Sequence, residues 1–356
     1  MELKRFTLIF VFIALALTGC KRTEAPKQMP GTDFESLMGK DLPDWKYVHT
    51  PEDFANLAFF KGVYEKNISW LEKATEQVKV PKVIHFIWIG PKSFPIESIE
   101  NVRSWIGFHP DWKVKFWTDR ERALPHPEME LCRIQDLDLI KCGPLYRKSD
   151  NYGEMSDLLR LEILYKEGGI YVDHDVQCLK SFELLNKAYD FFCGMEVPFP
   201  STLSSSLTPT NNTLGSIPGH PLIMRCMEWL EENWDRIEEA YPGRDRDSTI
   251  NRVSHRTFFV TGEMFKKHAN QGTVDIAFPS YYFNSPKDEW ALFAQHKYKG
   301  TWFENESPFE KMAKKRLMYL SKKANKLLLA VGILGGLNLL GFGLLGLLFL
   351  RLRKAA

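Results

Sequence analysis

Asp173-His174-Asp175 follows directly on the apolar run Ile170-Tyr171-Val172. That run is bounded by Gly168-Gly169, which reads as a helix stop followed by a buried strand. In open α/β sheets, ligands bind beyond the carboxyl ends of strands. Asp173 and Asp175 are two positions apart, so strand alternation sends both to one side. Two carboxylates aimed at one point repel unless something positive stands between them. A hard divalent cation, Mn²⁺ or Mg²⁺, takes oxygen ligands and can also hold a diphosphate. His174 points the other way and reads as a spacer. Taken alone, two aspartates at this spacing also describe a solvated turn.

The preceding segment adds two charges. Ser156 to Glu167 is helical in pattern, and Asp157 and Arg160, three apart, share one face of it. They lie at the helix start, which in a parallel α/β unit sits near the carboxyl end of an adjoining strand. A surface ion pair of little energetic weight is the plainer alternative.

These residues need elements to hold them. Pro81 opens a buried strand, Val83 to Ile89, closed by Gly90-Pro91. Ser98 to Phe108 reads as a helix, Trp112 to Trp117 as a second strand, Ile170 to Val172 as a third, Phe191 to Val197 as a fourth, and Pro221 to Ile237 as another helix. Asp53 to Val78 carries apolar residues at roughly helical spacing, for one or two helices. Strands alternating with helices imply an α/β fold with a mostly parallel sheet covered on both faces.

The segment from Ser156 to Asp175 resembles the sugar-binding DxD region of glycosyltransferase family 32 and, more distantly, the catalytic domain of large clostridial glucosylating toxins. Further resemblances follow in family order. Pro81 to Gly90 resembles the family's first strand, and Phe116-Trp117-Thr118-Asp119 its second. Gly219-His220-Pro221 resembles a helix start, and Thr261-Gly262 a turn in which Glu263 replaces the usual proline. His296 with Thr301-Trp302 resembles a closing motif, with Thr where Ser is usual. The resemblance spans about residues 80–303. It implies a GT-A, Rossmann-like fold and transfer of a hexose from a UDP- or GDP-sugar with retained configuration.

The resemblance also implies roles. Trp88 would stack on the nucleotide base. Asp157 and Arg160 would hold the donor sugar, with Arg160 also near the diphosphate. Tyr171 would line the ribose or phosphate, and Asp173 would touch sugar and ribose. Asp175 would bind Mn²⁺ or Mg²⁺ directly, with Asp173 beside it. Thr301 and Trp302 would close over the phosphates. Two other classes stay open: a haloacid-dehalogenase-like phosphohydrolase with Asp173 as nucleophile, and a non-catalytic, membrane-held carbohydrate-binding module.

The chain has 356 residues, 44% hydrophobic and 26% charged, which excludes a mostly disordered chain. The net charge is only +2, yet from residue 311 onward there are ten Lys or Arg and no Asp or Glu. An acidic body with a basic tail argues against nucleic acid and for anionic membrane lipid. Leu327 to Leu350 holds 24 residues without a charge and reads as a transmembrane helix. Lys4 and Arg5 precede the apolar run Phe6 to Leu17, and Leu17-Thr18-Gly19-Cys20 resembles a lipoprotein signal. The two ends imply opposite topologies, so the side of the membrane stays open.

The expected organisation is a signal over 1–20, a linker over 21–45 and a helical segment over 46–80. A catalytic domain over 81–303 follows, then a basic juxtamembrane segment over 304–326, a transmembrane helix over 327–350 and a basic tail over 351–356. The expected partners are a nucleotide-sugar donor, a glycan, glycolipid or protein acceptor, and membrane lipid. Five cysteines besides Cys20 show no zinc-site spacing and read mostly as buried thiols.

Overall fold

A computed structural model describes residues 31–201, 203–300 and six positions between 316 and 324. In chain order the strands are β1 (Val83–Ile87), β2 (Lys113–Thr118), β3 (Met129–Arg133), β4 (Gly169–Val172), β5 (Val176–Cys178), β6 (Phe191–Met195), β7 (Pro209–Ser216), β8 (Asp275–Phe278) and β9 (Ala294–His296). The α-helices are α1 (Phe34–Leu37), α2 (Pro51–Asn67), α3 (Ile99–Phe108), α4 (Gly143–Lys148), α5 (Tyr152–Glu167), α6 (Glu183–Ala188), α7 (Pro221–Ala240), α8 (Arg246–Val253) and α9 (Phe259–His268).

Seven strands form one sheet in the order β3-β2-β1-β4-β7-β6-β8. All run parallel except β7, which is antiparallel to both β4 and β6. Every residue of β4, β6, β7 and β8 is buried, so the middle of the sheet is covered on both faces. The expected mixed, mostly parallel α/β sheet is therefore present. The polar strand Pro-Thr-Asn-Asn-Thr-Leu-Gly-Ser of β7 escaped sequence reading, because hydrophobic periodicity cannot mark a strand whose buried polar groups are satisfied by neighbours.

The DxD-bearing strand is set by close backbone packing. Gly168 and Gly169 take φ values of 65° and 93°. A Cβ on Gly169 would meet the carbonyl oxygen of Val83 at 2.5 Å, so the chain leaves α5 and pairs with β1 only with glycine there. At the other end of α5, the Asn151 side chain caps the helix by accepting from the Gly153 and Glu154 N–H groups. This starts the helix a turn earlier than its apolar pattern suggests.

A second, two-stranded sheet pairs β5 with β9 antiparallel, Val176 opposite His296. It ties the last strand of the described body to the residues that follow the DxD.

Several expectations change. Residues 34–45 are not a linker: Phe34, Leu37 and Met38 are buried in the main core, because α1 folds back on the sheet-covering elements. Thr261-Gly262 is no turn but lies within α9, buried against β7. Glu263 in place of proline leaves the helical N–H ladder intact. The five cysteines are free, four of them buried. The signal over 1–20 and the transmembrane helix over 327–350 lie outside the described residues. Among the described residues, no helix is long and apolar enough to cross a membrane.

Candidate active site

The carboxyl ends of β1, β4 and β6 and the start of β7 meet at one edge of the sheet. There they open a cleft of about 960 Å³. Trp88, Asp157, Arg160, Tyr171, Asp173 and Asp175 all line it. Asp157 and Arg160 come from the second and third turns of α5 rather than from its start, because the helix begins at Tyr152 and not at Ser156. Asp173 and Asp175 come from the turn after β4, anchored by the Asp173 N–H on the Asn212 carbonyl at 2.8 Å.

Arg160 organises the floor. Its Nη2 lies 2.5 Å from Asp157 Oδ1 and 3.3 Å from Asp173 Oδ1. Its Nη1 donates to the Asn211 carbonyl at 2.5 Å. The guanidinium also sits over the Tyr171 ring, 4.1 Å from its centroid, and the Tyr171 hydroxyl donates to Asp173 Oδ1 at 2.5 Å. This pair is no surface ornament, since Arg160 is buried. Burial pushes the Asp157 carboxyl up to about 6, even with Arg160 opposing the shift. Asp157 Oδ2 receives a further hydrogen bond from Thr257 Oγ1. Thr257 belongs to a π-helical turn, Ser254–Phe258, between α8 and α9. Such turns often carry functional side chains.

Asp175 forms the second centre. It is buried, its Oδ2 accepts the Lys299 N–H at 2.7 Å, and His296 Nε2 stands 3.4 Å away. Burial works against its charge, but the hydrogen bond and charge of His296 outweigh that and hold the carboxyl well below the usual range. Asp173, Asp175 and His296 each offer an atom within 4.8 Å of the others. Two carboxylates and one imidazole suit Mn²⁺, which accepts nitrogen more readily than Mg²⁺ does. The Asn212 amide lies 2.9 Å from His296 Nδ1, while its own Oδ1 is buried and has no partner. That amide nitrogen also donates to Asn284 Oδ1 at 2.7 Å, so it is held with its N–H toward the His296 ring and fixes the orientation of the imidazole. The donor set fits a divalent cation.

Trp88 donates its indole N–H to the Lys92 carbonyl at 2.8 Å, and its ring meets His174 edge-on at 4.9 Å. His174 accepts no place in the acidic cluster. Its Nδ1 pairs with Ser98 Oγ at 2.8 Å, consistent with a spacer. Thr301 and Trp302 lie outside the described residues. Sequence reasoning singled out His296 only as part of a closing motif, and it overlooked Asn211, Asn212, Thr257, Tyr298 and Glu196 as site residues. A carboxylate one position past a strand, as in Met195-Glu196, was the available signal for the last of these.

Comparisons with known proteins follow the same segment. Residues 95–192 match the family model of the glycosyltransferase sugar-binding region containing a DXD motif. The chain is 31% identical over 222 residues to "Subversion of eukaryotic traffic protein A" of Legionella pneumophila, covering 56% of this chain and 33% of that protein. It is 27% identical over 157 residues to "Mannosyl phosphorylinositol ceramide synthase SUR1" of Saccharomyces cerevisiae, covering 43% of this chain and 35% of that protein. The chain thus spans about a third of the length of these relatives. Among solved structures, "PaToxG Glycosyltransferase" aligns with a TM-score of 0.44 at 18% identity, over 61% of this chain and 79% of that one. The catalytic domain of alpha-toxin from Clostridium novyi aligns with a TM-score of 0.43 at 12% identity, over 80% and 92%.

Proposed function

The chain carries the DXD-containing sugar-binding region of glycosyltransferases, and on that premise we propose that it is a GT-A-type enzyme that moves a hexose from a UDP- or GDP-sugar to a glycan, lipid or protein acceptor. The observation that carries the reading is Arg160. It binds Asp157 and Asp173 together on the floor of the same cleft into which Asp175 and His296 project. A haloacid-dehalogenase nucleophile needs a free carboxylate, whereas Asp173 Oδ1 is taken by both Tyr171 and Arg160.

In this reading Asp173, Asp175 and His296 would hold Mn²⁺, which would supply positive charge to the leaving diphosphate. The Asp157 carboxylate, kept in place by Arg160 and Thr257, accepts hydrogen bonds from donor-sugar hydroxyls. Arg160 keeps the two acids from repelling and directs its remaining positive field at the phosphates. Trp88 offers an aromatic face to the base. Catalysis is then mostly positioning and electrostatics, with configuration retained. Thr301 and Trp302, from the closing motif of the resemblance, are assigned to binding the phosphates, and the basic segment 304–326 with the apolar run 327–350 to holding the domain at a membrane.

The names of relatives such as the inositol phosphoceramide mannosyltransferases of Schizosaccharomyces pombe favour a mannosyl group and a phosphoinositol lipid acceptor. The test is a donor screen with the full chain and Mn²⁺, using GDP-mannose, UDP-glucose, UDP-galactose and UDP-N-acetylglucosamine. Release of nucleoside diphosphate from one donor supports the reading. No release from any, together with no nucleotide binding by folded protein, overturns it.

A further inference from the structure

Glu196 lies one residue past the end of β6, outside every motif discussed above, and lines the same cleft. It is 8% exposed. Its Oε1 accepts the Val197 N–H at 3.0 Å and the Tyr298 hydroxyl at 2.5 Å. Both partners are neutral. The other acids of the cleft floor are committed: Asp157 and Asp173 to Arg160, Asp175 to His296 and the Lys299 N–H. Glu196 has no guanidinium or ammonium against it among its described hydrogen bonds and ion pairs. Burial accordingly raises its proton affinity, only partly offset by the charge of His296.

A buried carboxylate without a cation is costly unless it has a use. The chain also spends strain to hold it. Tyr298 is one of two non-glycine residues with positive φ among the described residues, at 50°, a conformation unfavourable for an aromatic side chain and frequent at functional sites. That backbone sets its phenol on Glu196, while His296, two residues earlier, reaches Asp175. One short segment therefore places the candidate cation site and a fixed carboxylate in the same cleft.

We propose that Glu196 takes the proton of the hydroxyl group that attacks the donor sugar. The attacking oxygen approaches on the face from which the diphosphate departs, as retention requires, and forms a bond to the anomeric carbon. The bond from that carbon to the diphosphate oxygen breaks, its electron pair leaving on the nucleoside diphosphate. The hydroxyl proton passes to the Glu196 carboxylate, whose Oε1 stays fixed by Val197 and Tyr298. This rests on the transferase reading and adds a proton acceptor that the DxD region does not contain.

The test uses the full chain, Mn²⁺ and whichever donor of the panel it consumes, with water as the attacking group. Glu196→Gln keeps the shape of the side chain but not its capacity to take a proton. It is expected to bind UDP or GDP with Mn²⁺ as the wild type does, by calorimetry, while donor hydrolysis slows about 100-fold. Glu196→Asp is expected to recover part of that loss. An unchanged rate in Glu196→Gln overturns the proposal, as does a fall no larger than a loss of nucleotide binding. Should Glu196→Gln not fold, Tyr298→Phe frees the carboxylate without removing it. A several-fold slower turnover with nucleotide binding kept supports the proposal, and an unchanged rate overturns it. Wild type that consumes no donor overturns the transferase reading, and this proposal with it. That result is distinct because wild type and variant then fail alike.

Discussion

His296 Nε2 stands 3.4 Å from Asp175 Oδ2, and the pairing of β5 with β9 puts it there by placing Val176 opposite His296. The small second sheet thus completes an acidic pair with an imidazole from the far end of the described body. His296→Ala is expected to weaken Mn²⁺ binding by at least about tenfold, as loss of groups around a bound metal does. Titration of the full chain with Mn²⁺, read by calorimetry, checks this. An affinity equal to wild type would remove His296 from the metal set.

The floor of the cleft depends on one guanidinium. Arg160→Met leaves Asp157 and Asp173 facing each other in a buried site without their cation. Breaking a buried pair by removing one partner costs on the order of 3–5 kcal/mol. We expect a loss of that size by denaturant unfolding, along with loss of donor turnover. Arg160→Lys keeps the charge but not the fork that reaches Asp157, Asp173 and the Asn211 carbonyl together. It is expected to stay folded and turn over poorly. Full activity in the lysine variant would reduce Arg160 to a point charge.

Thr257 joins the π-helical turn to Asp157, and its carbonyl in turn accepts from the Asn211 amide at 3.3 Å. Thr257→Val keeps the volume and removes the donor. A lost hydrogen bond to a charged group is worth roughly 1.5–3 kcal/mol, so a fall of about ten- to a hundredfold in kcat/KM for the donor is expected. Steady-state kinetics decide it, and an unchanged kcat/KM would make the turn a packing feature only.

Stability should fall in mild acid because of His85. Its Nε2 pairs with the Gly168 carbonyl at 2.8 Å, and its Nδ1 accepts the Trp117 indole N–H at 3.1 Å. A second ring proton would face that indole donor. Complete burial lowers its pKa to about 4, below the 6.5 of an unfolded histidine. Between those values the unfolded chain binds the extra proton, so the folded state loses stability as pH drops from about 6.5 toward 4, on the order of 3 kcal/mol in all. His85→Gln is expected to be less stable at neutral pH and to show less of this slope. Urea midpoints across that pH range, identical in slope for both proteins, would contradict it.

Much of this site was legible in sequence because its parts are close in the chain. Asp157, Arg160, Tyr171, Asp173 and Asp175 fall within one helix–strand unit, and helix and strand periods fix which of them face together. The turn after β4, rather than strand pleat, brings the two aspartates together, so the expectation was right in outcome and simpler than the geometry. His296, Glu196, Asn211 and Thr257 come from four other elements. No local period links them to the DxD, and the polar strand β7 and the β5–β9 pairing that deliver two of them leave no hydrophobic signature. The supposed linker at 21–45 misled for the opposite reason: its proline and glycine content hid Phe34, Leu37 and Met38, which the core needs.

The most direct test of the central claim compares donor turnover by the full chain with and without Mn²⁺, in wild type and in Asp175→Asn. The account requires nucleoside diphosphate release that depends on Mn²⁺ in the wild type, and a fall of at least about 100-fold in the folded variant. Turnover that ignores Mn²⁺, or that survives in Asp175→Asn, would contradict it.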